Sequence, residues 1–117
     1  MQEFLQWARV YWAFPNHVED EGYAIVQTPD TGYAIVGRAK VSNPTFFEPF
    51  VLKIDQTGAF QWAFFSPGPD ADDEGHAATV SLAGTIVAGG WTKSYGTNPP
   101  NKADIFVAEF LPGGGPG

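Results

Sequence analysis

A short acidic motif occurs twice in this chain, and no other feature constrains the fold as strongly. Glu-Asp-Glu-Gly-Tyr-Ala stands at residues 19–24, and Asp-Asp-Glu-Gly-His-Ala stands at residues 72–77, a separation of 53 positions. The likeness extends outward, because Gln-Trp-Ala occurs at both 6–8 and 61–63. A period of this length is typical of repeat proteins, in which neighbouring supersecondary units bury their apolar faces against each other. We therefore expect two copies of one unit.

The first unit, residues 20–66, has the pattern of four short antiparallel strands. Pro29-Asp30-Thr31-Gly32 predicts a tight hairpin turn between two apolar runs, and Gln56-Thr57-Gly58 predicts a second turn. Residues 40–49 are polar, contain two prolines and predict a long loop. The predicted strands, labelled A to D, are residues 23–28, 33–39, 50–55 and 59–66.

The second unit, residues 73–114, contains only three predicted strands, at 76–81, 85–92 and 104–111. Its first turn, at residues 82–84, is expected to be one residue shorter than the corresponding turn of the first unit. The missing fourth strand has a counterpart at the N-terminus, because residues 4–11 match the fourth strand of the first unit at an offset of 55 positions. The predicted strand order is D, A-B-C-D, A-B-C, followed by a Gly/Pro tail at residues 113–117.

Residues 20–37, followed by residues 50–62, resemble the bacterial and archaeal β-propeller repeat of secreted and cell-surface proteins. A repeat of that family runs from an acidic residue, Gly and an aromatic residue through two strands to an apolar strand with Lys, a turn and Trp. The second copy departs from the pattern, with Leu82-Ala83 in the turn and Glu109 where Lys53 stands. The resemblance implies an all-β propeller of four-stranded blades, with strand A lining a central channel. It also implies an extracellular or cell-surface location, and it supplies no catalytic residues.

Two blades cannot close a ring, because natural propellers have about 4 to 8 blades. The chain is therefore either a fragment of a larger propeller or one of several copies that assemble head to tail. In the second case each N-terminal strand completes the three-stranded blade of a neighbour. We expect a homotrimer with six blades or a homotetramer with eight. The alternative fold is a two-sheet sandwich with accidental internal similarity, although sandwiches do not require a period of about 50 residues.

Charge and composition limit the partners. The net charge is −7 with only 6 Lys and Arg, which should repel phosphate backbones and argues against nucleic acid. The chain has no Cys, which removes disulfides, thiolate metal sites and Cys nucleophiles. The sequence contains no run of 18 apolar residues, so it predicts no membrane insertion. The N-terminus lacks the pattern of a signal peptide.

Acidic side chains concentrate in the two segments before strand A, which hold 7 of the 13 acidic residues: Glu19, Asp20, Glu21, Asp70, Asp72, Asp73 and Glu74. Asp70, Asp72 and Glu74 alternate with other residues ahead of a glycine, as in the first half of a calcium loop. The twelfth position would be Ser81 rather than a bidentate Glu. A calcium site at Asp70, Asp72 and Glu74 is one interpretation, and a solvated acidic rim without a cofactor is the other.

In a propeller the D-to-A and B-to-C loops emerge on one face, and in this chain both kinds of loop are expected to be long. Some residues on this long-loop face do not recur between the repeats and mark a candidate ligand site: Phe46, Phe47, Trp91, Tyr95 and Asn98. Exposed rings beside amide and carboxylate groups suit a carbohydrate or a peptide, and the alternative is that these rings cover the blade interface. The serines lack a nucleophile motif, and the carboxylates look too exposed to acquire a raised pKa, so we expect no enzyme activity. The predicted function is a non-catalytic, lectin-like binding module that assembles with other copies. The alternative is a purely structural repeat, or a fragment of a larger cell-surface propeller, with no ligand of its own.

Overall fold

A computed structural model of the chain describes residues 5–11, 17–41, 47–65, 73–93, 104–111 and 113. These residues form seven strands and no helix: β1 His17–Gln27, β2 Tyr33–Val41, β3 Phe47–Ile54, β4 Phe60–Phe65, β5 Asp73–Val80, β6 Ile86–Thr92 and β7 Asp104–Phe110. Sheet one has the antiparallel order β1-β2-β3-β4, and sheet two has the antiparallel order β5-β6-β7. The all-β prediction is confirmed. Within the described ranges, no helix has the length and apolar character needed to cross a membrane.

The two sheets pair their strands in the same register. Gly22 lies opposite Gly37 in sheet one, and a β-bulge follows directly in β1. Gly75 lies opposite Gly90 in sheet two, and a β-bulge follows directly in β5. The sequence repeat is therefore a repeat of backbone pairing, with an offset of 53 positions in the first two strands and 56 in the third. Matching pairs between the second and third strands are Val36–Val51 in sheet one and Gly89–Val107 in sheet two.

The hairpin turn between the first two strands has the same length in both sheets, so the predicted shortening of the second turn is wrong. In residues 28–32 and 81–85 alike, the first backbone amide donates to the last carbonyl, at 3.0 and 2.9 Å. The fourth residue has a positive φ in each turn, 69° at Thr31 and 88° at Gly84. A turn of this kind depends on one residue with positive φ, so it tolerates the loss of Pro and Asp in the second copy.

The strands extend further into the acidic segments than the apolar pattern predicts. Five of the seven acidic residues expected in loops lie in β1 or β5 instead: Glu19, Asp20, Glu21, Asp73 and Glu74. In β1 the extension is stabilised by cross-strand pairs of opposite charge, since Glu19 lies opposite Lys40 and Glu21 lies opposite Arg38. Both ends of the loop predicted at 40–49 are strand as well, because β2 continues to Val41 and β3 begins at Phe47.

The two sheets pack face to face around an apolar core, to which each sheet contributes three buried side chains: Ala34, Val36 and Val51 from sheet one, and Ile86, Ala88 and Phe110 from sheet two. The rings of Trp62 and Phe64 in β4 lie against the Phe110 ring, with centroids 6.3 and 5.1 Å apart. The fourth strand of sheet one therefore contacts the third strand of sheet two.

The opposite face of sheet one carries a second apolar cluster, formed by Ala39, Phe50, Leu52 and Ile54. Residues 5–11 reach this face at Tyr11 and the turn between β3 and β4 at Trp7 and Arg9. Tyr11 packs against the cluster, and its hydroxyl donates to the Gly58 carbonyl. Trp7 and Arg9 lie so close to Gly58 that a Cβ added there would come within 2.9 Å of either side chain. Residues 5–11 belong to neither sheet within the described part of the chain.

A polar network around the buried Lys53 crosses sheet one where β3 ends. Lys53 is inaccessible to solvent, and its Nζ donates to Asp30 Oδ2 at 2.9 Å and to Gln61 Oε1 at 2.7 Å. The Thr28 hydroxyl, together with the Lys53 ammonium, lowers the pKa of Asp30 to about 2. The network ties the first turn to β3 and β4. Glu109 occupies the equivalent position in sheet two and is exposed.

Candidate functional site

The residues predicted for the ligand and calcium sites are only partly within the described ranges. Five of the eight lie outside them: Phe46, Asp70, Asp72, Tyr95 and Asn98. Both sites therefore stay predictions. The other three, Phe47, Glu74 and Trp91, lie in strands rather than in loops. Arg38 and His76 connect these three residues into one polar and aromatic cluster.

Arg38 of β2 links the two sheets. Its Nε donates to Glu21 Oε1 at 2.9 Å, and its Nη1 donates to Glu74 Oε2 across the sheet interface. The guanidinium carbon lies 3.6 Å from the centroid of the Phe47 ring. Charge-assisted hydrogen bonds in a partly buried site are stronger than neutral ones and are screened less by salt. The other oxygen of Glu74 lies 2.8 Å from His76 Nε2, so both carboxylate oxygens contact protein groups.

Three aromatic side chains form a row beside these carboxylates. The rings of Tyr23 and His76, which hold equivalent positions in β1 and β5, stack with centroids 4.8 Å apart. Trp91 adds a third ring, 6.5 Å from that of His76. Tyr23 is 42% exposed and the His76 side chain 43% exposed, so the row is accessible to solvent. The Tyr23 hydroxyl donates to Glu21 Oε1 at 2.5 Å, which lowers the pKa of Glu21 and raises that of Tyr23.

Sequence reasoning missed Arg38 and Tyr23 as members of this cluster. A signal for Arg38 was available, because Arg38 and Lys40 alternate along β2 as Glu19 and Glu21 do along β1, and opposite charges favour cross-strand pairing. The contact between Arg38 and Glu74 had no such signal. It depends on how the two sheets pack, which neither strand pattern specifies.

Among the described residues, sheet two has one edge without a paired strand at β7 and an exposed apolar face. In the described part of the chain, β7 pairs with β6 on one side and with no strand on the other. Ile105 and Val107 point away from sheet one and are 87% and 68% exposed. Val51, the repeat equivalent of Val107, is only 4% exposed because sheet two covers it. An edge and an apolar face of this kind favour association with another chain.

Residues 5–11 contact sheet one near the end of its third strand, and β4 contacts sheet two near the end of its third strand. Trp7 is the repeat equivalent of Trp62, since both stand in a Gln-Trp-Ala triplet. Trp62 lies against Phe110 at the end of β7, whereas Trp7 lies against Gly58 in the turn that follows β3. Phe110 is the repeat equivalent of Ile54, so the contact of Trp7 lies four residues beyond the position that corresponds to the contact of Trp62.

Comparisons with protein-family models, with curated proteins and with solved structures gave no match.

Proposed function

We propose that this chain is a non-catalytic β-propeller interaction module that assembles with other copies of itself into a closed ring. Each sheet is one blade, and each copy contributes two blades. One observation supports the proposal. The outer face of sheet one is the repeat equivalent of the inner face of sheet two, and the outer face of sheet two is the repeat equivalent of the inner face of sheet one. The two inner faces already pack together.

The equivalence is visible in the residues of each face. The sheet-two residues of the inner contact are Ile86, Ala88 and Phe110, and their equivalents on the outer face of sheet one are Tyr33, Ile35 and Ile54. On the other side of the contact, Val107 on the outer face of sheet two is equivalent to Val51. The outer face of sheet two can therefore pack against the outer face of sheet one in another copy. Such a heterologous contact generates a ring when its rotation closes.

The position of residues 5–11 fits this arrangement. They contact the outer face of sheet one through Tyr11 and its β3–β4 turn through Trp7 and Arg9, on the side where the fourth strand of a preceding blade would lie. The free edge of β7 in another copy is the edge that lacks a fourth strand. Three copies would give six blades and four would give eight, both within the natural range. The extracellular or cell-surface location follows from the sequence resemblance alone.

Removal of residues 1–11 tests the proposal. The truncated chain should sediment as a monomer in analytical ultracentrifugation, whereas the intact chain should sediment as a larger species of fixed size, because the truncation takes away the strand that bridges two copies. Addition of a synthetic peptide of residues 1–11 serves as the control for folding, since it should bind the truncated chain. An intact chain that stays monomeric over the accessible concentration range contradicts self-assembly.

Ligand binding is a second candidate function, favoured by the exposed row of Tyr23, His76 and Trp91 beside Glu21 and Glu74. Carboxylates accept hydrogen bonds from the hydroxyl groups of a carbohydrate, and aromatic rings pack against its C–H groups. A glycan array probed with and without calcium tests this function, and binding should be lost in Trp91→Ala. Failure to bind any glycan under both conditions removes the lectin-like candidate and leaves a structural ring.

A further inference from the structure

We propose that residues 5–11 of a second copy pair antiparallel with β7, in a register that places Ala8 of the second copy opposite Ala108. The inference rests on the proposed self-assembly and specifies the partner and the atoms at its interface. The occupant of the free β7 edge is thus a second copy of this chain, through its N-terminal segment.

The register follows from sheet one, where the same two strands of the repeat already pair. In β3 and β4, Leu52 lies opposite Ala63. The third strands are related by 56 positions and the fourth strands by 55, so the corresponding pair is Ala108 and Ala8. In the same way Val51–Phe64 becomes Val107–Arg9, and Phe50–Phe65 becomes Phe106–Val10.

An apolar cavity lies where this register places Val10. The cavity has a volume of about 200 Å³ between the two sheets, and its lining includes Phe64 of β4 and Phe106 and Ala108 of β7. Val10 is 90% exposed in the single chain. Opposite Phe106, its side chain would project from the inward face of β7 toward the cavity. The contact therefore buries the Val10 side chain of the second copy and fills the apolar cavity of the first.

Charge complementarity supports the same register. Glu109 is exposed on the outward face of β7, and its Oε2 accepts from the Thr85 hydroxyl at 2.5 Å. Arg9 of the second copy, opposite Val107, would lie diagonally across from Glu109, within reach of long side chains. Gln6 is the equivalent of Gln61, which accepts from Lys53 at 2.7 Å. A glutamine amide also donates hydrogen bonds, so Gln6 can serve Glu109 as Gln61 serves Lys53.

This geometry does not disturb the contacts that residues 5–11 make with their own sheet one. Successive side chains of a strand point to opposite faces. Trp7, Arg9 and Tyr11 face their own sheet one, as they do in the single chain, and Ala8 and Val10 face the other copy. The segment can therefore bridge two copies with both of its faces.

Disulfide cross-linking tests the register, because the chain has no cysteine of its own. Directly opposite residues of antiparallel strands lie at Cα separations that allow a disulfide. The Ala8→Cys/Ala108→Cys variant should form covalently linked oligomers under mild oxidation, seen on a non-reducing gel. The matched control, Ala8→Cys/Val107→Cys, places the second thiol on the opposite face of β7 and should give at least about tenfold less linked product.

Each outcome decides a different point. Linked oligomers from the Ala108 variant alone support the register. Equal or greater linkage from the Val107 variant overturns the register, and so does a disulfide within one chain without any linked oligomer. In either case the proposed self-assembly stands if the unmodified chain has the mass of an oligomer. An unmodified chain that is monomeric by mass overturns the self-assembly itself, and the register with it.

Discussion

At the scale of single residues, Thr31 carries backbone strain that its repeat partner avoids. Its φ of 69° is unfavourable for a β-branched residue, and Gly84 has a φ of 88° at the equivalent position without a Cβ. Thr31→Gly should therefore raise the free energy of unfolding by about 0.5 to 1 kcal/mol, even though it removes the exposed 2.9 Å hydrogen bond to Gln56.

Chemical denaturation measures this change. The reciprocal substitution Gly84→Thr is the matched control and should lower the free energy of unfolding by a similar amount. The nearest atom to an added Cβ at Gly84 lies at 3.4 Å, so the backbone conformation and not a clash should determine the effect. A neutral result for both variants would contradict the assignment of strain to this turn position.

Glu48 should destabilise the fold at neutral pH. Burial raises the pKa of the Glu48 carboxyl, and the negative charge of Asp73 raises it further. A carboxyl whose folded pKa exceeds its unfolded value stabilises the fold while both states are protonated, and this advantage is lost as the pH rises through the folded pKa. Glu48→Gln should therefore raise the melting temperature at pH 7 by a few degrees, and the difference should vanish near pH 4.

Thermal melts from pH 4 to pH 8 check this expectation. Glu21→Gln is the control, because the Tyr23 hydroxyl and Arg38 lower the pKa of Glu21, and its substitution should destabilise the fold at pH 7. A Glu48→Gln variant with a constant offset at every pH would show that shape rather than charge produces its effect.

At the scale of elements, the glycines at the β-bulges are required by close backbone approach. A Cβ on Gly90 would lie 1.9 Å from the Glu74 carbonyl oxygen, and a Cβ on its repeat partner Gly37 would lie 1.8 Å from that of Glu21. Gly90→Ala should therefore force β5 and β6 apart and lower the free energy of unfolding by more than about 2 kcal/mol.

Gly89→Ala, one residue away on β6, is the matched control. An added Cβ there would lie 3.5 Å from the Phe106 carbonyl oxygen, which is an ordinary contact, and Val36 occupies the equivalent position in sheet one. The substitution should be neutral or slightly stabilising, since Gly weakens a strand relative to Ala. Equal destabilisation by both variants in urea unfolding would contradict the requirement for a glycine at the bulge.

The sequence predicted which elements form better than where they begin. The apolar runs located every strand in sheet one and sheet two, because alternation and turn residues mark them. The start of β1 was missed because charged residues, not apolar ones, form this part of the strand. Glu19 lies opposite Lys40, and Glu21 lies opposite Arg38. The equal length of the two turns was missed for a different reason, because a turn that depends on one residue with positive φ does not need the same residues at its other positions.

At the scale of the whole molecule, the internal period predicted two all-β units, and their identical register could be read only from the structure. The candidate cluster around Arg38 combines Glu21 of β1 with Glu74 of β5, and no pattern within either strand reports a contact between sheets. The self-assembly proposal follows from the same geometry, since the outer faces repeat the inner ones.

Native mass spectrometry of the intact chain over a range of concentrations measures whether copies of the chain assemble and how many do so. We predict one discrete species at three or four times the chain mass of 12.6 kDa, because a closed ring leaves no free β7 edge for further copies. A mass of 12.6 kDa at every concentration would contradict self-assembly, and an open-ended series of multiples would contradict closure of the ring.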